Sequence, residues 1–127
     1  MAGLALLGLP RVVLHDLHLI SERSPLTWFL ALAPIAAWIA VTVLVRSPRP
    51  FLTVLVTGLM FGAMLTLTHQ LLWDMAFAGA APSLGGSAGT LIPRLAAIPS
   101  GLMTGAAIGA IGGLLAMAGS ALRRHND

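Results

Sequence analysis

Two short stretches hold six of the eight His, Asp and Glu residues, the side chains able to titrate near neutral pH or to bind a metal. One is HDLHLISE, from His15 to Glu22; the other is LTHQLLWD, from Leu67 to Asp74. In the first, His15, His18 and Glu22 stand at i, i+3 and i+7. On a helix they share a face with Arg11, within about 60° of arc. Two imidazoles and a carboxylate on one face supply the donor set of a divalent metal such as zinc, which is the cofactor these residues permit. The spacing allows a metal without requiring one, because any amphipathic helix gathers its polar residues on one face. In the second stretch, His69, Gln70 and Asp74 close an otherwise apolar run. An imidazole, an amide and a carboxylate there can carry a proton, hold an ion, or bond one helix to another. A haem would need two imidazoles facing each other across a gap.

Other chemistries lack their parts. There is no cysteine, hence no thiolate metal site and no disulfide. No nucleophile motif, phosphate loop or HExxH pattern occurs, and LGGSAG lies outside any strand–helix context. The expectation is a protein that is not an enzyme. A net charge of +3, from seven arginines and no lysine, is too small and too scattered for nucleic acid.

The elements that must position these residues follow from composition. Apolar residues make up 57% of the 127 and charged residues 9%, against about 25% charged in a soluble domain. So few charges cannot clothe a surface in water, and mean hydropathy is +0.93. The partner this implies is a lipid bilayer, and the location is the cell membrane. Three uncharged runs, about 25–45, 51–73 and 95–122, are each long enough to cross as a helix, which takes about 20 residues. Helices are the only open-ended elements that satisfy their own backbone in lipid. Pro34 falls inside the first run, and RSPRP between the first two makes a tight turn. Met75 to Arg94, rich in Gly, Ser, Ala and Pro, reads as a loop.

Residues 1–24 form a separate amino-terminal segment, with 25–127 as the transmembrane helical domain. From Pro10 the segment has helical periodicity and reads as an amphipathic helix at the membrane interface. The alternative is a fourth span, which would bury Arg11 and Asp16 at about 2.5–3.5 kcal/mol each. The fold class expected is therefore an all-α integral membrane protein of three spans plus an interfacial helix, or of four spans. With three, Arg46, Arg49, Arg123 and Arg124 share one side, and the positive-inside rule makes that side, with the carboxyl terminus, cytoplasmic.

Glycine sets the packing. Gly101, Gly105, Gly109 and Gly113 recur every four residues in the third span, with Gly112 beside them, and Gly58 and Gly62 do so in the second. Small residues let helices approach closely where hydrophobicity cannot draw them together. Such a seam joins either the second and third spans or two copies of the chain. Gly58, Gly62, Thr66, His69 and Trp73 lie within about 80° of arc, so His69 continues the glycine face. Thr66, His69 and Gln70 then each need a hydrogen-bond partner. Trp73 reads as an interfacial anchor, Gln70 and Asp74 as an i, i+4 pair, and Asp74 with Arg94 as a pair tying the ends of the loop.

Two functional expectations result. The first is a non-enzymatic packing or accessory subunit, partnered by itself or by other membrane subunits. The second is a small transporter, channel or metal- or proton-handling protein using the His/Asp cluster. A His69 lining a polar space favours the second.

Overall fold

The computed structural model describes every residue except Glu22, Ser87 and Asp127, and the described residues form helices and loops without a strand. The helices are α1 (Ala2–Leu6), α2 (Leu9–Asp16), α3 (Pro25–Leu44), α4 (Pro50–Leu71), α5 (Trp73–Ala76) and α6 (Leu91–Asn126). Three of them, α3, α4 and α6, are long and apolar enough to cross a membrane. They alternate in direction. One end of the bundle therefore carries Arg46, Arg49, Arg123 and Arg124, and the other carries His15, Asp16, His69 and Arg94.

Local sequence accounts for where each span begins. Ser24 caps α3, its hydroxyl accepting from the Leu26 N–H at 3.3 Å, and Pro25 follows at the first helical position. Pro50 opens α4 in the same way. The third span is longer than 95–122: α6 runs for 36 residues, about 54 Å at 1.5 Å per residue. It takes in four residues of the expected loop, because Pro93 sits in the first turn, where a missing N–H costs nothing.

Helices α4 and α6 meet through their glycines. A Cβ at Gly58 would stand 2.5 Å from the Gly109 Cα, and one at Gly62 would stand 3.0 Å from the Gly105 Cα. Backbone therefore touches backbone along the seam, and the glycines at 58, 62, 101, 105 and 109 are spent inside the chain. Gly112 and Gly113 extend the contact to Val54 and Phe51. In lipid this proximity is what holds two helices together, through dispersion between closely spaced atoms.

The amino-terminal segment is two short helices and not one. Gly8 and Pro10 break it, and the pieces dock lengthwise on α3 and α4. Gly8 lies so near the Phe61 ring that a Cβ would come within 2.5 Å of it. Ala5 is fully buried, and Val12 nearly so, in a cluster with Trp38, Val54, Phe61 and Ala116. Trp38, 1% exposed, donates its indole N–H to the Leu4 carbonyl at 2.6 Å. Since Trp38 and Phe61 stand midway along their helices, α1 sits at mid-bundle, and α2 runs from there to the histidine end. Trp38→Phe would remove one of that carbonyl's two donors, leaving the Leu7 N–H at 3.1 Å, and would shrink a packed side chain. The expected loss is about 2 kcal/mol, with faster amide exchange at residues 2–8 measured by mass spectrometry. Unchanged protection there would mean that the indole does not anchor α1.

Candidate functional site

Asp16 is the most deeply placed acid among the described residues, 4% exposed at the end of α2. Its two carboxylate oxygens face two imidazoles. One meets the His15 Nδ1 at 3.3 Å and the other the His69 Nδ1 at 3.1 Å. A carboxylate that is ionised only accepts; facing one, an imidazole presents its Nδ1–H, and a neutral ring then keeps Nε2 as its acceptor. His69 is fixed on other sides too. Its ring makes edge contacts with Trp73 at 5.5 Å and Phe77 at 5.8 Å between centroids. Those two rings pack on each other at 4.7 Å.

The pair borders a cavity of ≈ 270 Å³ between α2, α4 and α6. Its polar lining is Arg11, Thr66, Ser100 and Thr104, with His15, Asp16 and His69. The Arg11 Nε is buried and finds no hydrogen-bond partner. Thr66 donates to the Gly62 carbonyl at 2.9 Å, and Thr104 to that of Ser100 at 2.9 Å. This is space for several waters, with polar groups to hold them.

Gln70 and Arg94 form a second knot beside it. Arg94 donates from Nε to the Gln70 Oε1 at 3.0 Å and from Nη2 to the Gln70 carbonyl at 2.8 Å. Gln70 donates back to the Arg94 carbonyl at 2.8 Å. The guanidinium also lies 5.8 Å from the Trp73 ring centroid. Arg94 thus caps the last turn of α4, where carbonyls have no helical partner and a cation is favoured. Arg123 does the same for α3, donating to the Val43 carbonyl at 3.0 Å.

Several expected arrangements do not form. Asp74 makes no pair with Arg94, nor with Gln70. The helix stops at Leu71, so Asp74 falls in α5 and turns outward, exposed, while Arg94 reaches the deeper Gln70. Trp73 is no exposed anchor; it is 4% exposed beneath Phe77, His69 and Arg94. Among the described residues no group of three His, Asp or Glu could hold a metal. His18 leaves the stripe because α2 ends at Asp16 and His18 takes φ 55°, outside the helix. Glu22 lies outside the described residues.

Sequence reasoning overlooked Asp16, Arg11, Ser100 and Thr104 as site residues. Asp16 carried a legible signal. It falls on the same helix face as Val12, four residues earlier, so it is a carboxylate on the apolar side of an amphipathic helix. Such a group needs a partner in the core, and His69 is that partner.

Three apolar helices, each long enough to cross a bilayer, make this a multi-pass membrane protein of all-α class. No protein-family model, curated protein or solved structure matches the chain.

Proposed function

We propose that this is a small proton-handling membrane protein, in which His69 takes up and releases a proton at the cavity while Asp16 orients it. The observation that carries this reading is the buried Asp16 carboxylate clasping two Nδ1 atoms at 3.3 and 3.1 Å beside a polar cavity. Imidazole is the side chain that changes charge near neutral pH. A carboxylate behind it fixes the tautomer and balances the imidazolium, leaving Nε2 for exchange. Ionisable groups within spans are costly and tend to mark ion or proton paths. By the arginine distribution the arginine end is cytoplasmic, and the cavity lies nearer the other side of the cell membrane.

The second reading is a non-enzymatic accessory subunit. Its support is the broad apolar surface of α3, where Trp28 and Phe29 are 63% and 65% exposed. The glycine seam adds nothing to it, because α4 and α6 fill that seam themselves.

Proteoliposomes loaded with a pH-sensitive dye test the proposal. The native chain is expected to dissipate an imposed pH gradient. His69→Gln should fold, since an amide still donates to Asp16, yet slow the flux about tenfold or more because it does not titrate. Equal flux from a folded His69→Gln protein would leave the accessory reading ahead.

A further inference from the structure

Arg11 is a cation set inside the bundle with no anion to answer it. It borders two cavities, the polar one of ≈ 270 Å³ beside His69 and an apolar one of ≈ 130 Å³. Leu30, Ile35, Trp38, Phe61 and Ile108 wall the second. Arg11, Val12, Leu65 and Thr104 line both, so the two spaces adjoin at this residue. Among the described residues Arg11 makes no hydrogen bond and no ion pair. Its Nε is enclosed; the terminal nitrogens are less so, and are the atoms left for a ligand. Asp16, in the polar cavity, turns its oxygens to His15 and His69 instead. Pro34 and Phe61, which also line the apolar cavity, stand midway along α3 and α4, so the charge sits deep among the spans. A charge at that depth is costly alone and ordinarily has a partner.

We propose that Arg11 binds the carboxylate of a small monocarboxylic acid whose apolar chain fills the neighbouring apolar cavity. A guanidinium presents parallel N–H donors that match the two oxygens of a carboxylate. One guanidinium balances one negative charge, which favours a monoanion over a phosphate ester. The apolar walls give the chain a place out of water, which a bare inorganic anion would leave unused. Lipid phosphates lie at the ends of spans, far from Pro34 and Phe61, so a headgroup does not suit this position. Thr66 and Thr104 spend their hydroxyl hydrogens on helix carbonyls, and the recognition rests on Arg11. The site adjoins the histidine pair without depending on it, because a guanidinium stays charged whatever the state of His69.

The test measures binding of radiolabelled hexanoate to the whole protein in a neutral detergent, with acetate, hexanol and hexylammonium as competitors. Unlabelled hexanoate is expected to compete best. Hexanol, with the same chain and no charge, should be about tenfold weaker, and hexylammonium should not compete. Acetate should be weaker by about fourfold for each methylene it lacks. Arg11→Met should weaken hexanoate about tenfold or more. Its ligand-free thermal midpoint should be equal or higher, because an unpaired buried charge is removed. Ala31→Leu intrudes on the apolar cavity from α3. It should cost hexanoate about fourfold, the worth of one methylene, and leave acetate unchanged. Hexanol competing as well as hexanoate, or a folded Arg11→Met protein binding hexanoate like the native one, would overturn the proposal. Acetate matching hexanoate would overturn the apolar half of the site and leave a small-anion site at Arg11. Binding is read at equilibrium with no gradient, so it stands or falls separately from proton flux through His69.

Discussion

Gly105→Ala is expected to destabilise the bundle strongly, although alanine is the smallest change available. A Cβ at Gly105 would stand 2.5 Å from the Gly62 Cα and 2.6 Å from the Gly62 nitrogen, and still nearer the Gly58 carbonyl. Ordinary carbon contacts lie at about 3.5–4.0 Å. The obstacle is backbone on every side, so no rotamer can move away. Helices α4 and α6 would have to separate by about 1 Å, and a gap of that size forfeits up to half of each dispersion contact along the seam. The cost should reach about 3 kcal/mol or more, at the top of the range for overpacking. Gly3→Ala is the matched control. Nothing lies within 4 Å of a Cβ there, so the change should stabilise α1 by about 0.5–1 kcal/mol through helix propensity. Thermal unfolding in detergent reads both. Equal midpoints for the two variants would show that α4 and α6 are not in backbone contact.

The same seam shows what the sequence made legible. Glycines four apart, in two apolar runs, define a face, and a face of glycines has little use except close approach. The three long spans followed from length and charge, which left open whether residues 1–24 made a fourth. Other features were hidden because they depend on where a helix stops. The polar stripe of His15 and His18 assumes a continuous helix, but α2 ends at Asp16, and His18 falls outside. The expected pairing of Asp74 with Arg94 fails for the same reason at Leu71. A helix end moved by a few residues rotates every later side chain by hundreds of degrees. Face arguments are therefore firm inside long helices, as for Gly58 through His69, and weak across their ends. The Arg94–Gln70 knot is tertiary in a further sense. It joins residues 24 apart across a loop, and nothing in either local segment marks the other as its partner.

The Asp16–His69 contact is where function and structure should separate most clearly. An asparagine at 16 keeps the shape, but one of its two heads donates and so cannot accept from both imidazoles. One ring must then give up its Nδ1–H tautomer. In the native protein, nitrogen-15 spectra should show His69 protonated at Nδ1, and in Asp16→Asn a mixture of tautomers. Proton flux should fall about tenfold, because the imidazolium loses its balancing charge inside the bundle. Stability should fall by about 1–3 kcal/mol, with part of that regained because the side chain of His69 is 29% exposed and water can reach it. The double variant Asp16→Asn, His69→Gln decides whether the two act together. If Asp16 works only by orienting and balancing His69, the double variant should be no slower than His69→Gln alone, the non-additivity expected of groups acting as one unit. Multiplied losses would mean that Asp16 moves protons by a route of its own. That result would place the proton path on α2 and reduce His69 to a hydrogen-bonded wall of the cavity.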